Sequence, residues 1–307
     1  MSNRDFCLLI EQTLNYGVDY KNEGYASTTI AKFQNYNFQP DFDKKFFSNE
    51  VAVTTKEAYE RDTAYWDQKR TLKLSEEERN YIRKRDSIEN LFTKTTYSDS
   101  IDSVFNVVNF WKVVWFGIDH RNRPKKQQWT LSSLAAMTRP VYIAGPRIGP
   151  DFDYFKKFKD ERTIDAFIRA DIGLLNKDIK GNFYTRYRYN PFNFATIGVS
   201  IDHDYDLIRS FDAFSQVLLR ENFIETTKYG VYHYLELLNG LTLRSDLKLA
   251  QRRPIGEDVK FVEWFDDVLD NNEPPVFDPY NAFIADFTLS YTPFQKYMRE
   301  PYRKVIL

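Results

Sequence analysis

Between Arg162 and Tyr291 the chain alternates apolar and polar residues with a period of two, in six long runs. The clearest run places Ile164, Ala166, Ile168, Ala170 and Ile172 on one face and Asp165, Phe167, Arg169 and Asp171 on the other. Side chains of a strand point alternately to its two faces, so this period predicts strands with one apolar and one wet face. The runs cover 163–173, 181–189, 195–204, 229–237, 241–251 and 282–292. Asn239-Gly240 is a two-residue hairpin signal, because a type I′ turn needs positive φ at both central positions. Asn176-Lys177-Asp178 and Asn190-Pro191-Phe192-Asn193 read as further tight connections, whereas 205–228 and 252–281 are long. Short and long connections nearly alternate. Asn190 to Asn193 stands out as short where a long loop is expected.

The first third of the chain has a different pattern. Residues 6–38 are β-like: Ala26, Thr28, Ile30 and Lys32 alternate with Ser27, Thr29, Ala31 and Phe33, and Pro40 ends the run. Ser75 followed by Glu78 forms a capping box, and Glu76 and Glu77 suit the positive end of a helix dipole. This predicts a helix from Glu76 to Phe92, and the residues before it predict another from Lys56 to Arg70. Tyr81, Ile88 and Phe92 make only a thin apolar stripe, as on a surface or spacer helix. Val104 to Asp119, dense in Val, Phe and Trp, predicts a return to strand, and Trp129 to Met137 a weaker one. No repeat of fixed period is present.

Strands of this kind occur in soluble sandwiches and in membrane barrels, and length separates the two. Soluble strands run about 5–6 residues. Nine to eleven residues rising about 3.3 Å each, tilted by about 45°, project to roughly 21–26 Å, the height of the apolar band of an outer-membrane barrel. Aromatics mark the run ends at Tyr187, Tyr189, Phe283 and Tyr291, as in interfacial girdles. The polar rows carry Arg169, Arg186, Arg188, Asp202, Glu236, Arg244, Asp246 and Lys248. In a barrel these eight face the lumen; in a sandwich they face solvent. The expected fold is therefore all-β with a short helical segment, a partial antiparallel transmembrane β-barrel of the outer-membrane type. A β-rich segment over 1–53 and a helical linker over 54–100 precede the barrel region at 101–307. On this reading Ile168→Arg is costly and Arg169→Ile mild.

Composition narrows the function classes. The 307 residues carry 28% charged side chains and a net charge of -1, without the basic excess of a nucleic-acid binder. Aromatics reach 17%, suited to girdles. A mean hydropathy of -0.57 excludes a bundle of membrane helices but not a barrel, half of whose strand residues are polar. The single cysteine, Cys7, rules out an internal disulfide and a cysteine-rich zinc site. Phe6 to Ile10 is too short for a signal peptide and is followed by Glu11, and Val305 to Leu307 is an apolar run at the other end. The chain is accordingly expected to be an internal fragment of a longer exported protein.

Motifs that carry chemistry are weak. Asp202-His203-Asp204 with Asp206 is a candidate metal cluster, but a strand splits it, sending His203 to the opposite face from the acids. Gly145-Pro146-Arg147-Ile148-Gly149-Pro150 is glycine-rich, yet its prolines remove backbone donors that a phosphate cradle needs, so it reads as a turn. Arg121 to Lys126 is a basic run, a solvated loop or a contact for lipid phosphates. Asp266 to Glu273 is acidic without calcium-loop spacing. There is no Gly-x-Ser-x-Gly elbow, Walker loop or His-Glu-x-x-His. Paired carboxylates of a glycosidase are not singled out by spacing. No enzyme activity and no cofactor is expected.

Several stretches resemble a known family. They are Phe46-Phe47-Ser48-Asn49-Glu50-Val51, Tyr65-Trp66-Asp67 through Leu74-Ser75-Glu76-Glu77-Glu78 to Lys84-Arg85-Asp86-Ser87-Ile88, and Tyr187-Arg188-Tyr189-Asn190-Pro191-Phe192. Glu236-Leu237-Leu238-Asn239-Gly240-Leu241, Arg252-Arg253-Pro254, Tyr291-Thr292-Pro293-Phe294-Gln295-Lys296-Tyr297-Met298 and Glu300-Pro301-Tyr302-Arg303-Lys304 complete the set. Together they are similar to Bacteroidota-type outer-membrane proteins of unknown function. That resemblance implies a signal peptide, a carboxypeptidase-regulatory-like accessory domain without peptidase activity, and a C-terminal β-barrel. The expectation is a non-enzymatic protein of the cell outer membrane, in contact with outer-membrane lipid and not with nucleic acid, with a transport or surface-envelope role. The alternative is a secreted soluble all-β glycan-binding module or a glycoside hydrolase-like protein.

Overall fold

The computed structural model describes residues 8–20, 23–42, 48–70, 72–140, 143–208, 219–256, 259 and 272–307. Cys7, Phe46, Phe47 and most of the acidic run from Asp266 lie outside them. The chain forms two compact units, Met1–Ser48 with Glu57–Tyr81 and Asn49–Lys56 with Ile82–Leu307.

The first unit begins with an antiparallel hairpin, β1 (Glu11–Tyr20) and β2 (Glu23–Lys32), in register from Glu11 opposite Lys32. In the second unit β3 (Glu50–Val53) follows. Next come three helices, α1 (Lys56–Glu60), α2 (Thr63–Lys69) and α3 (Glu76–Thr93). Where the sequence predicts one helix over 56–70 there are two. Asp62 stands extended between them and accepts a hydrogen bond from the Tyr65 amide at 2.8 Å, starting a new helix instead of continuing the old one. The capping box forms as read: the Ser75 amide donates to Glu78 at 2.7 Å, and the Glu78 amide donates to the Ser75 hydroxyl at 3.2 Å.

The second unit departs from the sequence expectation at its start. Val104 to Asp119 is not a strand. It spans the end of α4 (Thr95–Phe105), an irregular stretch, a π-helical turn (Lys112–Phe116) and the start of β4 (Ile118–Asn122). Tertiary hydrogen bonds override the β-branched composition. Asn106 and Arg121 exchange two hydrogen bonds at 2.7 and 2.9 Å, and Asp102 accepts from the Arg123 amide at 2.6 Å. These fix the helix end against β4. Gly117, at φ 89°, turns the chain where an added Cβ would lie 2.9 Å from the Leu131 carbonyl. Likewise Trp129 to Met137 divides into β5 (Gln127–Leu131) and the single turn α5 (Leu134–Met137).

Then come the short β6 (Thr138–Arg139) and β7 (Arg147–Ile148), followed by β8 (Asp151–Lys157) and β9 (Thr163–Gly173). The remaining long strands are β10 (Ile179–Asn190), β11 (Ala195–Leu207), β12 (Phe223–Leu238), β13 (Leu241–Pro254) and β14 (Tyr280–Tyr291). All six alternating runs are strands, each at least as long as its pattern to within a residue. β15 (Tyr297–Arg299) and β16 (Lys304–Ile306) join β3 in a small separate sheet.

The architecture is thus mostly antiparallel β-sheet. An 11-stranded sheet has the main path β14-β13-β12-β11-β10-β9-β8-β5-β4, with β6 and β7 attached beside β9. Among the described residues it is open, with β14 and β4 as its edges. No described helix is long and apolar enough to cross a membrane. The connections sort by end. The turns at 123–126, 158–162, 191–194 and 239–240 lie on one rim, and the longer connections that follow β5, β11 and β13 leave the sheet at the other. Asn190–Asn193 therefore belongs with the short turns. The exception is Leu174–Asp178, a short connection on the long-loop rim.

Burial in this sheet is inverted relative to a soluble protein. Ile168, Ile172, Val199, Ile201, Val231 and Leu249, all on one face, are 43–51% exposed, and Phe283, Phe287 and Leu289 on β14 are more open still. Among the described residues twelve polar or charged side chains are buried against eight hydrophobic ones. A buried apolar cluster, Ile143, Ala144, Phe223, Ile255 and Val259 with Tyr205 against it, sits at the long-loop rim.

Candidate functional site

The ladder register stacks the polar residues into rows across strands. Arg186 on β10 lies opposite Asp165 on β9 and Gly198 on β11, and the row continues through Tyr232 and Asp246 to Asp286. The next row runs from Arg188 through Thr196 and Tyr234 to Arg244. Arg169 starts a third, through Asn182, Asp202 and Lys228. Lys248 stands in the row of Gly230 and Ser200, and Glu236 lies opposite Thr242. All eight polar-row residues named from the sequence therefore share one face of the sheet by register, because the ladders stay in phase up to the two register shifts beyond Arg188 and Glu236.

They divide into three environments. Towards the long-loop rim, Arg169 donates to Asp204 at 2.6 Å and lies 3.4 Å from Asp171. Asp202 is 3.8 Å from Lys228, whose ammonium also pairs with Asp206. At mid-face Arg186 holds Asp165 at 2.7 Å, and Arg244 holds Asp246 at 2.7 Å with its guanidinium over the Tyr232 ring. At the short-turn rim Glu236 is buried.

Two ion clusters at the rims have no counterpart in the periodic pattern. In the first, Arg147 from the Gly-Pro loop is 1% exposed and forks onto Asp171 and Asp178. Burial works against its charge, but the two carboxylates outweigh it and raise its pKa above the ordinary arginine value. Lys180 pairs with Glu225, and its ammonium lies 4.3 Å from the centre of the Tyr205 ring. Gly149 lets the loop lie on β9, since a Cβ there would come within 2.0 Å of the Ala170 carbonyl oxygen. The loop read as a simple turn is thus the carrier of a buried cation. Nothing in its local pattern marks Arg147 as buried.

In the second cluster Lys304 of β16 donates to Glu236 at 2.5 Å and to Asn239 at 2.6 Å. Glu236 also accepts from the Gly240 amide at 2.8 Å and from Gln295 at 2.9 Å. These contacts tie the small sheet to the hairpin turn of β12 and β13. The Glu236–Gly240 and Gln295–Lys304 stretches were singled out in the sequence as separate motifs, and the fold brings them together.

Between these features the short-turn half of the polar face opens into a cavity of about 880 Å³. Its walls include Arg186, Arg188, Tyr232, Tyr234 and Arg244, with Phe194 and the β16 strand. A second, smaller hollow of about 330 Å³ lies beside it, with Tyr184, Ser200 and Asp246.

Other candidates from the sequence sit elsewhere. The acids of Asp202-His203-Asp204 are taken up by Arg169 and Lys228, while His203 contacts Thr227 at 2.8 Å. Among the described residues no group of acids, His and Cys is placed to hold a metal. His120 stacks on Trp129, and His233 contacts the Tyr189 hydroxyl at 3.0 Å on the apolar face. In the basic run, Arg121 and Arg123 flank Asp102.

Compared with known families, residues 111–307 match the model described as a family of unknown function (DUF5686), C-terminal domain. No curated protein and no solved structure matches the chain.

Proposed function

This chain belongs to the DUF5686 family of unknown function, and from that premise we propose that it is an outer-membrane protein whose long strands lie in the bilayer as part of a β-barrel. The observation that carries this reading is the inverted sheet. A row such as Ile168, Phe183, Ile201, Tyr229, Leu249 and Phe283 crosses six strands on the exposed face. In water an apolar face of this extent is a liability, and soluble sandwiches cover it with a second sheet. Lipid covers it without one. The opposite face, rich in ion pairs, suits a lumen.

Three further features support the reading. The rims divide into short turns and long loops, as periplasmic and outer ends do in such barrels. Tyr189 and His233 stack on the apolar face near the short-turn rim, where aromatic and polar groups belong at an interface. The stretch before β4 exposes Val107, Val108, Phe110, Trp111, Trp115 and Phe116, and its π-helical turn packs against α5 at the long-loop rim. Large exposed aromatics suit the headgroup region of a membrane. The role proposed is non-enzymatic, in transport or in the envelope surface. An export signal and a carboxypeptidase-regulatory-like domain in the parent protein belong to the same proposal.

The test is fractionation of the parent protein expressed in its natural host, followed by gels of boiled and unheated samples. The expected result is recovery with the outer membrane, extraction by detergent only, and heat-modifiable mobility. A water-soluble product with one mobility overturns the reading in favour of a secreted all-β module.

A further inference from the structure

The cavity at the short-turn rim has an unbalanced chemistry that a lumen merely filled with ion pairs does not account for. Its two lining carboxylates are already engaged, Glu161 by Lys157 at 2.5 Å and Asp165 by Arg186 at 2.7 Å. Three of its six cations are engaged from outside the lining: Arg244 by Asp246, Arg303 by Glu300 and Lys304 by Glu236. What remains after these pairs is the guanidinium of Arg188, which has no ion pair or hydrogen bond among the described residues. The hydroxyls of Tyr232 and Tyr234, on the same wall, are likewise without hydrogen-bond partners among them. The uncommitted groups of the lining are one full positive charge and two phenols able to donate, with no uncommitted carboxylate among the lining residues.

We propose that this cavity binds an oxyanion of sugar size, a small molecule bearing a phosphate or carboxylate group, with Arg188 as its charge partner. Arginine presents a planar fork of donors that matches either group, and charge-assisted bonds of this kind are the stronger ones. Arg188 and Tyr234 stand two strands apart in one row, with Thr196 between them. At about 4.8 Å per strand this leaves roughly 10 Å between their backbones, enough for a sugar ring with its anionic group on the arginine. The aromatic rings of Tyr234 and Phe194 offer an apolar surface for the rest of the ligand. A volume of about 880 Å³ falls within the range of small-molecule sites. The inference rests on the barrel reading only in identifying the cavity with a lumen; the binding chemistry stands on its own.

The experiment is calorimetric titration of the full chain, in detergent where it needs detergent, with glucose 6-phosphate, glucuronate and glucose. At least one of the two anions is expected to bind saturably and glucose not to bind, with affinity falling as salt rises. Which anion binds decides between phosphate and carboxylate. Arg188→Gln is expected to weaken binding at least tenfold, and Lys84→Gln on α3 to leave it unchanged. Arg188 is exposed, so its loss should not lower the thermal midpoint; Tyr234→Phe reads the same wall if it does. Absence of saturable binding by both anions, equal binding of glucose, or full affinity in Arg188→Gln overturns the proposal. Binding by a water-soluble chain keeps this site and removes the barrel reading, whereas membrane recovery without binding does the reverse.

Discussion

Arg147 shows how single residues carry this protein. It is buried, and its partner Asp171 is 2% exposed, so neither charge has water to fall back on. Arg147→Met is expected to destabilise, by less than the about 3–5 kcal/mol of a wholly unpaired buried charge, because Asp171 keeps Arg139 at 3.2 Å and Arg169 at 3.4 Å. Denaturant unfolding followed by tryptophan fluorescence measures it. The double variant with Asp171→Leu should recover part of the loss, and a loss no smaller than in the single variant would count against the pairing. The geometry also reverses the expectation for Arg169→Ile. With Asp204 at 2.6 Å and Asp171 at 3.4 Å, Arg169 is not a freely solvated lumen residue. Its replacement should be clearly destabilising in the same assay, whereas Lys248→Ile, with no ion pair among the described residues, should be mild.

At the scale of the strand and the turn, the alternation itself is the testable object. Ile168→Arg places a charge on the exposed apolar face and is expected to cost about 2–4 kcal/mol in a bilayer if the position lies near the midplane. The measurement is unfolding in lipid vesicles compared with wild type. A neutral result would remove Ile168 from lipid. Gly240 closes the β12–β13 hairpin at φ 79°, and a Cβ there would sit 2.2 Å from the Thr292 carbonyl oxygen. Gly240→Val should cost on the order of 1–3 kcal/mol from backbone strain, with added loss because the same turn anchors Glu236 and Lys304. A shift in the thermal midpoint reads it out. Strands and turns of this type were legible because their signals are local: the 163–173 run has the bounds of β9, and Asn239-Gly240 is the turn. The Val104–Asp119 stretch was not legible, since its helix is held by Asn106 and Asp102 reaching Arg121 on β4 and Arg123 just past it.

For the whole molecule, one sheet with its apolar side outward makes a prediction about placement. Trp111 and Trp115 are both more than half exposed in the stretch before β4. Reconstituted into vesicles, the protein should show tryptophan emission quenched by lipids brominated near the headgroup more strongly than by lipids brominated at the acyl end. Because other tryptophans contribute, the Trp111→Phe, Trp115→Phe double variant should lose most of that difference; an unchanged difference would take this stretch out of the interface. The sequence by itself determined the strands, their two-faced character and the hairpin turn, because period, turn residues and capping boxes act between near neighbours in the chain. It also determined which polar residues share a face, since side-chain direction along a strand is fixed by parity. Only the tertiary structure decided that this face is the one with buried charge and that Arg147 leaves its loop to meet Asp171. The same holds for Lys304 reaching Glu236, and for Arg188 keeping its charge free in a cavity. Those outcomes depend on which distant groups arrive to satisfy a charge, and no local pattern encodes a partner 24 or 68 positions away.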